Sequence, residues 1–327
     1  MPSTIELAVK SADVLALPGD VLALKHAQGW YGVDAAVADA FEIAGRNLDH
    51  PKPWDVRLEK TIPAVAARQI LFVGVPSLGK FGYPEIRRFG HQVLQSLAAL
   101  APETRHLLLT VHGPGYGLDE AESFESEVAG LIDGINGGGY PKDLERITIA
   151  ERNKGRAQRL TETLAEFLPQ GLISTSTPVG RTTLESIKRL QSAGYSSDEK
   201  AHVFVAMPFK EEMDDVYHYG IQQAVKAAGM LCERADLSSF AGDVIEWVRS
   251  RIRSAALVVA DLTDANPNVY LEVGYAWGVG VPTVLVVRGA DHLKFDVRGQ
   301  RSLVYKRIKD LEELLTKELQ QLRSTNQ

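Results

Sequence analysis

The chain of 327 residues holds a single cysteine, Cys232. One thiol excludes an intrachain disulfide and any metal site built from several thiolates. No apolar run reaches the length of about 18 residues that a membrane-crossing helix needs. The opening stretch, MPSTIELAVKSADVLALPGD, lacks the basic start and long apolar core of a secretory leader, so the expected address is the cytoplasm. An excess of basic residues is missing as well. The net charge of -6 argues against a broad nucleic-acid surface. There is no fixed-period repeat and no low-complexity tract. No His/Asp/Glu spacing suggests a metal, and no resident cofactor is expected.

What is present suits a protein with packed cores, since 45% of the residues are hydrophobic and 24% charged. A chain of this length exceeds one typical core and predicts two domains of roughly 150 residues. Residues 1–170 read as an alternating α/β unit. DVLALPGDVLALK is one or two strands broken at Pro18-Gly19, and QILFVGVP is a short strand ending in a turn. EIRRFGHQVLQSLAALA has helical spacing, with Ile86, Phe89, Val93 and Leu97 on one face. The strand HLLLTV runs into the glycine loop HGPGYG, and an acid-started helix, the strand LERITIAE and the helix RAQRLTETLAEFL follow. Residues 171–199, rich in Ser, Thr and Gly, read as a linker, with a short helix open around LESIKRLQ.

Residues 200–327 repeat strand then helix: HVFVAM, MLCERA, ALVVADL, TVLVV and SLVYK are the strands. Short apolar strands alternating with helices predict a flavodoxin-like parallel sheet covered on both faces, with ligands at the carboxyl ends of the strands. The predicted fold class is therefore α/β in two domains. In the segment NPNVYLEVGYAWGVG, Glu272 is the only charged side chain between Ala265 and Val287. Asn266 suits an N-cap and Pro267 a first helical residue, which places Glu272 in a helix near the rim of the sheet. A carboxylate in such surroundings is either a buried group bonded to nearby backbone or to Arg234, or a group with a chemical task. Trp247 and Trp277 fit helix periodicity and are expected in the core. His202 and His218 read as strand-end or helix-surface residues.

FVAMPF, ERAD and ADLTDANPNVYLEVGYAWGVGVPTVLVV together resemble the nucleoside 2-deoxyribosyltransferase-like family, which is related to TIR-type NAD hydrolases. The resemblance covers roughly residues 200–290. It implies that Glu272 attacks or stabilises C1′ of a sugar. It also implies that Met207, Pro208 and Phe209 wall the base, and that Asn266 and Asn268 lie near the sugar. Arg234 could hold a phosphate and Asp236 a sugar hydroxyl. Asp236 or Asp261 could supply a proton, and Asp296 and Arg298 could close over the site. The chemistry fits the residue type, because a carboxylate can stabilise or trap an oxocarbenium-like centre. The family often carries an Asp before the third strand, where this chain has Ala255 and Ala256. Losing that acid tilts the expected substrate toward NAD, whose nicotinamide is already cationic and leaves without a proton.

ALPGDVLALKHAQG, ILFVGVP and VHGPGYGLDEAE look similar to macro-type and leucine-aminopeptidase N-terminal domains, with no decisive motif. The likeness implies a sensor or assembly domain, open to a nucleotide signal. Asp119, Glu120 and Glu122 beside the GPGYG loop would repel a phosphate there. The basic residues of ERNKGRAQR read as a solvated face. The expectation is an NAD-cleaving N-glycosidase and homo-oligomer, a regulated effector in bacterial antiphage defence. The alternatives are a metabolic nucleoside or nucleotide deoxyribosyltransferase or hydrolase, and a non-catalytic nucleotide-binding module.

Overall fold

The computed structural model describes residues 4–175, 184–235, 244–289, 300 and 302–325. The chain is α/β and divides into two units, each with its own sheet. The first comprises Met1–Pro114 and Glu120–Asp198, the second Gly115–Asp119 and Glu199–Gln327.

The first unit runs β1 (Thr4–Ser11), β2 (Val21–His26), α1 (Val33–Ile43), β3 (Val56–Lys60), β4 (Gln69–Gly74) and α2 (Tyr83–Leu100). It continues with β5 (His106–Thr110), α3 (Glu120–Asn136), β6 (Arg146–Glu151), α4 (Lys154–Phe167), β7 (Leu172–Ser174) and α5 (Leu184–Ser192). The strand order is β3-β4-β2-β5-β6-β1-β7. The inner strands are parallel, while β3 and β7 close the two edges antiparallel to β4 and β1. Every residue of β2 is buried, as a strand covered on both faces requires. Ile86, Phe89, Val93 and Leu97 of α2 are fully buried, on the face their spacing predicts.

One reading left open from sequence closes here, and two change. Of DVLALPGDVLALK, left as one or two strands, the first part is a short 3-10 turn at Val14–Ala16 and the second part is the strand. The stretch expected as a linker carries β7, paired to β1, and α5, and falls within the first unit as far as Asp198. Arg156 and Arg159 of ERNKGRAQR are not simply solvated, since both bind the carboxylate of Glu120. Helix α3 is buried on nearly every side, and its acids survive there because each has a partner. Glu125 takes Arg189, Glu122 takes the hydroxyl of Ser197, and Glu127 accepts from the backbone and the Nδ1 side of His112.

The second unit runs β8 (His202–Ala206), α6 (Glu211–Asp215), a π-helical stretch (Val216–Gln222), α7 (Gln223–Ala227), β9 (Leu231–Glu233) and α8 (Val244–Ser254). It ends with β10 (Leu257–Asp261), α9 (Pro267–Gly278), β11 (Thr283–Arg288), β12 (Ser302–Tyr305) and α10 (Ile308–Thr325). Its order, β12-β11-β10-β8-β9, is wholly parallel and is the flavodoxin-like winding. One apolar cluster packs α10 and the π-helical stretch onto one face, around Val205, Val259 and Val286. A second packs α8 and α9 onto the other, around Phe204, Val258 and Leu285. No described helix is long and apolar enough to cross a membrane.

Candidate active site

In the second unit β8 leads to β9 on one side, and β10 leads to β11 on the other. Chain direction therefore reverses between β8 and β10, and α/β sheets hold their ligands beyond the carboxyl ends of such a pair. β8 runs out through Met207 and Pro208, both buried, to a partly exposed Phe209. Beyond β9, the guanidinium of Arg234 lies between two rings, 4.1 Å from the centroids of Phe209 and of Tyr217. Its Nη2 donates to Asp214 Oδ1 at 3.2 Å, and its Nη1 faces Met207 Sδ at 3.7 Å. The structure thus gathers Met207, Phe209 and Arg234 and adds Asp214 and Tyr217, which the sequence did not single out. Asp214 and Tyr217 stand three apart on a helical stretch, a spacing that gives a shared face but not the strand end it meets.

At the end of β10, Asp261 is fully buried. Its Oδ1 accepts from the backbone N–H of Thr263 at 2.9 Å, and its Oδ2 accepts from the Tyr305 hydroxyl at 2.9 Å. Burial pushes this carboxyl above the usual range, against those hydrogen bonds. Both oxygens are occupied, so Asp261 serves here as an anchor that ties β10 to β12. Asn266 caps α9 as predicted, its side chain accepting from the N–H of Asn268 at 2.9 Å. Just before it, Ala265 has φ of +49, a conformation costly for a side-chain-bearing residue and typical of functional turns. Lys210, after β8, pairs with Asp264, after β10, at 2.9 Å.

Glu272 sits on α9 one turn beyond Asn268, so the two share a helix face. It is half-buried, and among the described residues it has no hydrogen bond or ion pair. Burial alone pushes its carboxyl up to about 8. The structural reading that would pair Glu272 with Arg234 is not what the structure shows, since Arg234 goes to Asp214. Trp277, expected in the core, is 42% exposed on the outer side of α9, whereas Trp247 packs against the α8–α9 cluster. His202 begins β8 and is tied to Arg251 O at 3.0 Å. His218 is buried rather than on a helix surface, with its ring against Gln222 at 3.1 Å. Asp236, Asp296 and Arg298 lie outside the described residues.

The first unit reverses direction between β2 and β5. Beyond β2 lie a buried Lys25–Asp34 ion pair and the cluster of His26, Trp30 and His50. A cavity of about 600 Å³ opens elsewhere in this unit, lined in part by Lys10, Asp20, Arg68, His106 and Arg146. It lies toward the amino ends of β2, β5 and β6, opposite the edge where such sheets place ligands, and none of the predicted residues lines it. Among the described residues no group of acids, histidines and cysteine could hold a metal ion.

No family model matches the chain, and no curated protein matches it. Among solved structures, a macrodomain of Oceanobacillus iheyensis with MES bound is 12% identical, with a TM-score of 0.37, over 50% of this chain and 91% of its own. A Trypanosoma brucei macrodomain in complex with ADP-ribose is 19% identical, with a TM-score of 0.39, over 49% of this chain and 69% of its own. The CMP N-glycosidase BcmB of Clostridium botulinum is 18% identical, with a TM-score of 0.31, over 36% of this chain and 98% of its own. At scores this low the likenesses decide nothing about chemistry.

Proposed function

We propose that the second unit is an N-glycosidase that cleaves the bond between nicotinamide and ribose in NAD. One observation carries the reading. A carboxylate at the reversal point of a parallel sheet is partly withdrawn from water and has no partner among the described residues. A structural glutamate in such a place is paired, whereas an unpaired one is left to take its charge when a cationic ligand arrives. Cleavage breaks the C1′–N bond, and the pair of electrons leaves with nicotinamide and neutralises its ring. Water then supplies hydroxide to C1′ and releases a proton to solvent. Glu272 faces the cationic C1′ centre and stabilises it, or bonds to it before water arrives. Glu272 is partly withdrawn from water, so the attraction is stronger than in open solvent.

The raised carboxyl also bears on the choice of substrate. A neutral nucleoside would leave Glu272 largely protonated at neutral pH, whereas a cationic nicotinamide ring beside it favours the ionised form. Asn266 and Asn268 would meet the sugar, and Met207, Pro208 and Phe209 the base. The first unit would act as sensor or assembly module, with a nucleotide signal at its own reversal point between β2 and β5. The setting in antiphage defence rests on the two-unit architecture alone.

The test is nicotinamide release from NAD by concentrated protein, wild type against Glu272→Gln. Release by the wild type that falls at least ~100-fold in the variant supports the reading, the scale expected for loss of a nucleophile or of a buried electrostatic stabiliser. Equal release by both proteins, or cleavage of deoxynucleosides in place of NAD, overturns it.

A further inference from the structure

We infer that Arg234 reads a phosphate on the 5′ side of the cleaved sugar, so that the site takes nucleotides and rejects nucleosides. This rests on the N-glycosidase reading of the same site and deepens it. The guanidinium is enclosed, its side chain only 9% exposed, and the rings of Phe209 and Tyr217 both lie against it. With rings stacked against it, the edge is the direction left to a ligand, and it is along the edge that arginine grips phosphate with paired hydrogen bonds. Among the described residues the edge is not spent. One N–H goes to Asp214, whose side chain is 40% exposed, and one faces a weakly accepting thioether. No further partner of Arg234 exists among the described residues. An arginine kept only for stability would satisfy its remaining donors when so enclosed.

Placement agrees with chemistry. Arg234 directly follows β9 and Glu272 lies on α9, the helix after β10, with β8 between the two strands. Neighbouring strands lie about 4.8 Å apart, so the ends of β9 and β10 stand roughly 10 Å from each other across the carboxyl edge. With C1′ of a ribose near Glu272, a phosphate on the 5′ oxygen extends toward Arg234. Lys210, held among the described residues by an exposed pair with Asp264, stands on the same edge and adds positive charge for the phosphate. Asp214 competes for the guanidinium, and its exposure leaves it room to yield.

Two readouts separate this inference from the reaction it builds on. The first is binding of ribose 5-phosphate against ribose, by calorimetry, to wild type, Arg234→Lys and Asp214→Asn, which needs no turnover. Ribose 5-phosphate should bind and ribose should not. Arg234→Lys should weaken the phosphate ligand ~10- to 100-fold through loss of the paired grip, while Asp214→Asn should tighten it several-fold by freeing a donor. The second is turnover of nicotinamide mononucleotide against nicotinamide riboside, which differ only by the phosphate. Arg234→Lys should lower kcat/KM for the mononucleotide ~10- to 100-fold, bringing it toward the poor turnover of the riboside. Equal binding of ribose and ribose 5-phosphate, failure of both to bind, or an Asp214→Asn variant that binds phosphate no better overturns the inference. If phosphate binding behaves as stated and nothing is cleaved, the glycosidase reading fails and the phosphate site stands. Should Arg234→Lys fail to fold, the wild type and Asp214→Asn decide the matter between them.

Discussion

Glu272 was legible in the sequence because it is the lone charge in a long apolar stretch, and a lone charge there asks for a reason. That no described residue pairs with it was not legible, because that depends on where Arg234 turns. Arg234 turns to Asp214, on a helix that the sequence does not orient. The raised carboxyl has a cost with a defined sign. Unfolded, Glu272 titrates near 4.5, and folded, near 8. Below the first value both states hold the proton and nothing is lost. Between the two values only the folded state holds it, so stability falls as pH rises; above the second the loss is constant. The displacement sets an upper bound near 5 kcal/mol, and about 2 to 3 kcal/mol is expected for a half-buried side chain that water partly reaches. Glu272→Gln should therefore melt above the wild type at pH 8, with the gap closing by pH 4. A variant less stable than wild type at pH 8 would mean that Glu272 has a partner in solution.

At the scale of elements, the second unit was readable almost throughout, because its strands are short apolar runs and its helices keep one apolar face. The π-helical stretch was not, since a wider turn buries the same apolar set that an ordinary helix would. The first unit was harder at its margins. β3, VRLEK, is an edge strand with charges at Arg57, Glu59 and Lys60 and little apolar signal. The sequence leaves α5 open as a short helix in a Ser- and Thr-rich linker, while its anchor, Arg189 on Glu125, joins residues far apart in sequence. The start of α9 was read correctly, and there cap and ligand contact can be pulled apart. Asn266→Ser keeps an oxygen for the N–H of Asn268, whereas Asn266→Ala loses it, at a cost of about 1 kcal/mol. If Asn266 also meets the sugar, the serine variant should melt within about 1 °C of wild type yet lose ~10-fold or more in kcat/KM. Unchanged turnover in Asn266→Ser would reduce Asn266 to a cap.

For the whole molecule, the boundary between the units does not fall at a single point in sequence. The second unit takes in Gly115–Asp119, from the connection between β5 and α3. Tyr116 makes an antiparallel bridge with Ala235, and Asp119 accepts from the N–H of Cys232 at 3.0 Å, so this short strap lies along the end of the strand that leads to Arg234. Nothing in VHGPGYGLDEAE announces that role. The glycines suggest a loop, and the partner residues lie more than a hundred positions further on. Gly117 is the point where the strap is most constrained. A Cβ there would stand 1.8 Å from Trp247 Cη2, and the residue's φ is +93. Gly117→Ala must therefore move a large ring out of the α8–α9 cluster while holding a strained backbone, a loss of roughly 2 to 6 kcal/mol from strain and overpacking together. Thermal unfolding followed by tryptophan fluorescence should show that loss, and Trp247→Leu placed on top of Gly117→Ala should recover part of it. If the double variant is no more stable than Gly117→Ala alone, the clash with Trp247 is not what fixes the strap. If Gly117→Ala is as stable as wild type, the strap is not built into the second unit in solution.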